Sequence, residues 1–205
     1  MSARSVRAVV FDLDGVLVDT EHLWDEVREQ LARDWGGAYT AESQRAMMGM
    51  SSTEWSRYLH ETVGLPGPPE AINEEVVRRM LARYASDLPV IPGAVEAVRR
   101  LAATGRRLAV ASSSNRPLID AVLDRLGVAD DFAATVSSEE VERGKPSPDV
   151  YLEAARRLDV DRPPVPPSRT RRTGSAPRAR PGCAWSRSPT GGSRPPTTRW
   201  RSPPA

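Results

Sequence analysis

Asp12 and Asp14 stand one residue apart between an apolar run and Gly15, in the segment FDLDGVLVDT (Phe11–Thr20). Two carboxylates this close repel and desolvate one another unless a cation or a shared proton compensates. A buried strand would deliver both to its carboxyl end, the usual ligand position in an open α/β sheet. Strand alternation would put them on one side, and Gly15 would let the backbone turn away at once. The bland alternative is a turn carrying two helix-capping aspartates. An apolar strand, D-x-D-G and a second apolar run in that order speak against it.

Two further segments carry chemistry. VASSSN (Val110–Asn115) sets three hydroxyls at a strand-to-helix junction, where backbone N–H groups together with Ser112 and Ser113 suit a phosphate group. The same serines could equally be an ordinary turn and cap. RGKPSPDVY (Arg143–Tyr151) holds Lys145, the only lysine in a chain that otherwise uses arginine. A retained lysine suits a site that needs a compact ammonium rather than a wide guanidinium fork. Chance survival of an exposed lysine is the plain alternative.

The elements that must position these residues follow from periodicity. Val6–Phe11 is a short, β-branched apolar run and reads as a buried strand. Helical patterns then run from Thr20 to about Trp35, over Ala41–Met48, Ser52–Val63 and Pro69–Tyr84, with Asp19 or Thr20 capping the first. Ile91–Gly105 reads as a fifth helix, followed by strand Arg107–Ser113, helix Arg116–Leu126, strand Ala133–Ser138 and helix Pro148–Leu158. Strand and helix alternating at this spacing predict a parallel sheet with crossover helices. The expected fold class is α/β: a Rossmann-like parallel sheet over 1–19 and 89–162, interrupted by an α-helical cap over 20–88, with an irregular, disordered Arg/Pro-rich tail over 163–205.

Composition sets the remaining bounds. The net charge of +2 is unevenly spread, because no Asp or Glu follows Asp161 while Arg, Pro, Ser and Gly dominate there. The isoelectric point near 9.0 therefore reports the tail rather than the domain. Cys183 is the single cysteine, so no internal disulfide can form. Val6–Phe11 is too short for a signal peptide or membrane span, and the expected location is the cytoplasm.

The three chemical segments, in this order at successive strand ends, resemble the haloacid dehalogenase superfamily over about residues 6–160. Asp12 and Asp14 match its first motif, Ser112 its second and Lys145 its third. The resemblance implies that Asp12 attacks the substrate phosphorus to form an aspartyl-phosphate. Asp14 would protonate the leaving oxygen and then activate water. It implies Mg²⁺ held by the Asp12 carboxylate and the Asp14 backbone carbonyl, with Ser112, Ser113 and Lys145 on the phosphoryl oxygens. An aspartate at position 14 argues against the dehalogenases proper, which have no leaving alcohol to protonate.

The insert resembles the helical cap of the β-phosphoglucomutase-like branch. Trp24 stands where the mutases carry a histidine, and GMSSTEW (Gly49–Trp55) offers Ser52 where they carry an arginine. DTEHLWDE (Asp19–Glu26) is more similar to sugar-phosphate phosphatases related to 2-deoxyglucose-6-phosphatase, with His22 a surface residue at the cap hinge. The expected substrate is a small phosphorylated metabolite, with no membrane or nucleic-acid partner and a monomeric state.

The family's fourth motif, an acidic pair before a Gly- and Ala-rich helix, supplies the remaining Mg²⁺ carboxylate. Where it should stand, this chain reads PPVPPSRTRRTGSAPRARPGCAW, without an acid. A basic nucleic-acid-binding tail and a disordered linker are two readings. The third, favoured, is translation out of frame. From Ser168 and Arg169, joining each wobble base to the next two bases permits EDSPNGVRAARAAGMRVVAIPN through Thr190, which has the form of the missing motif, helix and last strand. The expectation is a phosphatase by descent, impaired as written, whose Asp12 strand is left as a sheet edge and whose tail adds no strand. The rival is a non-catalytic remnant whose basic tail binds nucleic acid or anionic surfaces.

Overall fold

The computed structural model describes residues 6–159; the expectations for the tail, its missing strands and its charge lie outside them. Three parallel strands form one sheet in the order β1 (Ala8–Phe11), β2 (Arg107–Ser112), β3 (Ala134–Ser137). Val9 pairs with Leu108 and Val10 with Ala109, while Ala109 pairs in turn with Ala134. Among the described residues β1 is bonded on one side only.

Alternation along the strands divides two cores. Ala8, Val10, Ala109, Ala111 and Ala134 face Val150, Ala154 and Leu158, which lie on or just after helix α7 (Asp149–Arg157). These short side chains let α7 lie close against the sheet. Val9, Phe11, Leu108 and Val110 face the other way, toward α5 (Ala94–Ala102) and α6 (Arg116–Leu126). Phe11 meets Phe132 edge to face, with ring centroids 5.8 Å apart.

Four helices separate β1 from α5: α1 (Glu21–Trp35), α2 (Ala41–Met47), α3 (Ser52–Glu61) and α4 (Pro69–Ser86). Buried Leu23, Val27 and Leu31 recur at helical spacing on α1 and pack with Trp55 and Leu59 of α3 and with Ile72, Val76 and Met80 of α4. Ser51 and Glu54 close the start of α3 reciprocally, with Ser51 N–H donating to Glu54 Oε2 at 2.8 Å. Pro69 opens α4 at a position where its missing N–H costs nothing. Leu13, Leu17 and Val18 join this helical core to that of the sheet. No described helix is long and apolar enough to cross a membrane.

The two chain segments that connect the sheet to the helical insert run side by side. Val18 and Val90 form an antiparallel bridge, Asp19 N–H donates to Pro89 O at 2.8 Å, and Ile91 N–H donates to Leu17 O at 3.0 Å.

Element boundaries differ from the sequence expectation in three informative places. β1 begins at Ala8 rather than Val6, because Val6 is 58% exposed and makes no ladder pair. The helix expected from Ile91 begins at Ala94, because Gly93 takes a left-handed φ of 81° that ends the preceding turn. Thr20 does precede α1, but its side chain makes no cap bond. Its hydroxyl is engaged elsewhere.

Candidate active site

β1 ends at Phe11, so Asp12 is the first residue past the sheet. Its Oδ1 accepts the Leu13 N–H at 2.8 Å, and its Oδ2 lies 2.7 Å from Lys145 Nζ. Lys145 reaches in from the loop before α7, donates also to Ala111 O at 3.1 Å, and stands 5.1 Å from the centroid of the Tyr151 ring. The chain's one lysine thus meets the first aspartate, although the two stand 133 positions apart in the sequence.

Asp14 arrives by a different route from the one alternation predicts. Residues 13–18 form a tight turn in which Leu17 N–H donates to Leu13 O and Gly15 N–H to Val18 O, both at 2.8 Å. Gly15 has φ 75°, a left-handed conformation that side-chain-bearing residues adopt only at a cost. The turn, rather than a continued strand, sets the carboxylate. Thr20 Oγ1 donates to Asp14 Oδ1 through a short bond, which is why it does not cap α1. Trp24 Nε1 stands 3.4 Å from the same oxygen. Ser114 Oγ donates to Oδ2 at 2.7 Å, with Ser112 Oγ at 3.5 Å.

These groups floor a cleft of about 590 Å³. Asp12, Asp14, Ser113, Ser114 and Lys145 line it from the sheet, and Trp24, Arg28, Met47, Met50 and Trp55 line it from the helical insert. Ser112 is fully buried and does not line the cleft; its Oγ accepts the Ser114 N–H at 3.0 Å. His22 and Asp19 are exposed at its rim. Ser52 faces away, donating to Glu139 Oε1 at 3.1 Å. Glu139 also accepts from Asn115 Nδ2 at 2.6 Å, and that amide nitrogen lies 3.1 Å from Asn73 Oδ1. This polar cluster links α3 and α4 to the start of α6.

Five of the residues that line the cleft or hold its carboxylates carry no chemical signal in the sequence. Thr20 reads as a cap, Ser114 as the third of three equivalent hydroxyls, and Trp24 as a departure from the mutases. Arg28 and Trp55 meet only when α1 and α3 pack. The Arg28 guanidinium lies 4.9 Å from the ring centroids of both Trp24 and Trp55. Burial pulls its pKa down to about 10, against the opposing influence of Tyr39, Asp25 and Asp14. Tyr39 itself is held protonated well above the usual phenol range, first by burial and then by its 2.6 Å bond to Asp25 Oδ1.

A parallel sheet with an aspartate-rich turn after its first strand, a serine junction after the second and a lysine after the third defines a class, and comparison confirms it. The chain belongs to the haloacid dehalogenase-like hydrolases, whose family model matches residues 6–170. It is 32% identical over 155 residues to the phosphorylated carbohydrates phosphatase of Thermotoga maritima, covering 76% of this chain and 72% of that protein. It is 29% identical to hexitol phosphatase B of Escherichia coli K12, covering 77% and 72%. Among solved structures it is similar to CbbY from Rhodobacter sphaeroides in complex with phosphate. There the TM-score is 0.68 at 27% identity, covering 76% of this chain and 74% of that one.

Proposed function

We propose that this chain hydrolyses a small phosphomonoester, a phosphorylated carbohydrate, through an aspartyl-phosphate on Asp12. The observation that carries the proposal is the pairing of Asp12 with Lys145 at 2.7 Å in the same cleft as an Asp14 carboxylate gripped by Thr20 and Ser114. A carboxylate oxygen of Asp12 attacks phosphorus, the bond from phosphorus to the alcohol oxygen breaks, and Asp14 gives that oxygen its proton. Asp14 then takes a proton from a water whose oxygen attacks the aspartyl-phosphate. This restores the Asp12 carboxylate and releases inorganic phosphate. Lys145 and Ser113, which line the cleft, bind the phosphoryl oxygens, with the ammonium offsetting their charge; Ser112, expected to join them, is buried beneath and accepts the Ser114 N–H instead. In this reading residues 20–88 are the cap, and 1–19 with 89–162 the core. The relatives named as phosphatases of phosphorylated carbohydrates and hexitols support the substrate class.

Mg²⁺ fits the donor set. The Asp12 carboxylate and Asp14 backbone carbonyl are hard oxygens, and Mg²⁺ is commonly held by one or two carboxylates together with substrate phosphate and water. When bound, it would withdraw charge from the phosphoryl oxygens. Among the described residues no group of three or more His, Cys, Asp or Glu could form a fuller cage.

Turnover by the chain as written is proposed to be low. No acid follows Asp161, and the family match ends at residue 170, beside the point where the shifted frame begins. Phosphate release from sugar phosphates and p-nitrophenyl phosphate with Mg²⁺ tests both statements. The full chain is expected to give a measurable rate that Asp12→Asn abolishes. Restoring residues 168–190 to the shifted frame should raise that rate by at least about 10–100-fold, the scale on which losing even a group that only supports a metal ligand acts. An Asp12→Asn protein as fast as its parent overturns the mechanism, and a restored chain no faster than its parent overturns the impairment.

A further inference from the structure

Arg28 is a cation without an anion. Its neighbour on α1, Arg33, pairs with Glu29 at 2.9 Å, but among the described residues Arg28 makes no ion pair, and its buried Nε has no hydrogen-bond partner. The carboxylates whose charge reaches it are already engaged. Asp25 accepts the Tyr39 hydroxyl at 2.6 Å, and Asp14 accepts from Thr20 and Ser114. The rings of Trp24 and Trp55, tilted 60° to one another, each lie 4.9 Å by centroid from the guanidinium carbon. Contact with ring faces favours a cation but supplies no acceptor for its N–H donors, and the buried Nε has none. Burying such a group unpaired is costly, and desolvation is what lowers its proton affinity here. It nevertheless remains charged at neutral pH.

The position of Arg28 says what would complete it. It lines the cleft that holds Asp12, Asp14 and Lys145, but from the helical wall. Trp24 spans the interval: its Nε1 faces Asp14 while its ring carries Arg28. A substrate with its phosphorus at Asp12 and its leaving oxygen at Asp14 would have the guanidinium within the same cleft, beyond this indole, to meet its alcohol portion. A planar fork of donors matches an oxyanion in two-pronged fashion, as an ammonium does not.

We propose that Arg28, braced between Trp24 and Trp55, selects phosphomonoesters whose alcohol portion carries a second anionic group, either a carboxylate or a further phosphoryl group. This rests on the phosphatase reading above and narrows its substrate class. A neutral phosphorylated polyol would leave the guanidinium unpaired and bind less well.

Non-hydrolysable phosphonates test this without requiring turnover. The full-length chain with Mg²⁺ is titrated calorimetrically with inorganic phosphate, 3-hydroxypropylphosphonate, 3-phosphonopropionate and 1,3-propylenediphosphonate. At least one of the two doubly anionic ligands should bind about tenfold or more tightly than the neutral one, as a charge-assisted pair gives. Whichever does so distinguishes a carboxylate from a phosphoryl group as the partner. Arg28→Met should bring the affinities together. Equal affinities for all three phosphonates in the parent protein, with inorganic phosphate still binding, overturn the role of Arg28 alone. This comparison does not depend on how the variant folds. A margin that survives in a folded Arg28→Met protein overturns it equally. If inorganic phosphate itself does not bind, the phosphatase reading falls and this inference with it.

Discussion

Thr20→Val isolates one bond in the site. The side chain is fully buried, and valine keeps its shape while removing the donor to Asp14 Oδ1. No cavity is created, so the cost is that of one hydrogen bond to a charged group, about 1.5–3 kcal/mol. Trp24 Nε1, at 3.4 Å from the same oxygen, is too distant to take over fully. Ser114 serves the other oxygen at 2.7 Å and cannot move across. Urea unfolding should show a lower midpoint at constant m, corresponding to roughly 1 M for a protein of this size. Thr20→Ser is the control, since it keeps the hydroxyl and gives up one methyl, about 0.8 kcal/mol. Combining Thr20→Val with Ser114→Ala should be non-additive, because both donors stabilise one charge. A Thr20→Val protein within about 0.5 kcal/mol of its parent would show that the hydroxyl does not hold the carboxylate, and the account of Asp14 would fail with it.

Two further outcomes follow from polar networks in the helical insert. Glu75 accepts hydrogen bonds from Arg78 and Arg79, which lower its pKa from the ordinary 4.5 to about 2, while Arg79 also reaches Asp34 on α1 at 2.7 Å. A depressed folded pKa means that its stabilising contribution is present above the unfolded value and lost as pH falls through the folded one. The stability advantage of the parent over Glu75→Gln should therefore hold at neutral pH and shrink between pH 4.5 and about 2 in acid-titrated unfolding; an advantage constant over that window would refute it. Glu139→Ala removes the acceptor shared by Ser52 and Asn115, so amide hydrogen exchange should quicken by about tenfold at the start of α3 while the sheet stays protected. Unchanged exchange there would mean that the cluster does not secure the insert.

The parts of this protein legible in its sequence are those where one residue type has one use. An apolar β-branched run ending in D-x-D-G, and a single lysine in an arginine-rich chain, mark the cleft before any fold is known, although β1 is half-buried rather than buried as expected. Helix α6 spans Arg116–Leu126 as expected, and Gly127 follows it in a left-handed conformation. Thr20 shows where such reading fails. A threonine before a helix is the usual signature of a cap, and only the turn through Gly15 reveals that a carboxylate competes successfully for its hydroxyl. Ser114 and Ser112 cannot be told apart in a run of three serines, because their directions depend on where β2 stops and α6 starts. Arg28 is invisible for another reason. Its meaning depends on Trp55, which lies on a different helix and reaches it only through the packing of α1 against α3.

The bridge between Val18 and Val90 gives the insert a door's geometry. Both strands of the connection are tied to each other, so a swing of the four helices about that line would have to move them as a body. Asp14 sits beside the pin. One of its oxygens is held by Ser114, on the frame, and the other by Thr20 and Trp24, on the leaf. Any opening about that line would draw two of those donors away from the carboxylate. The carboxylate would thus have its full set of donors only with the cleft closed over its contents.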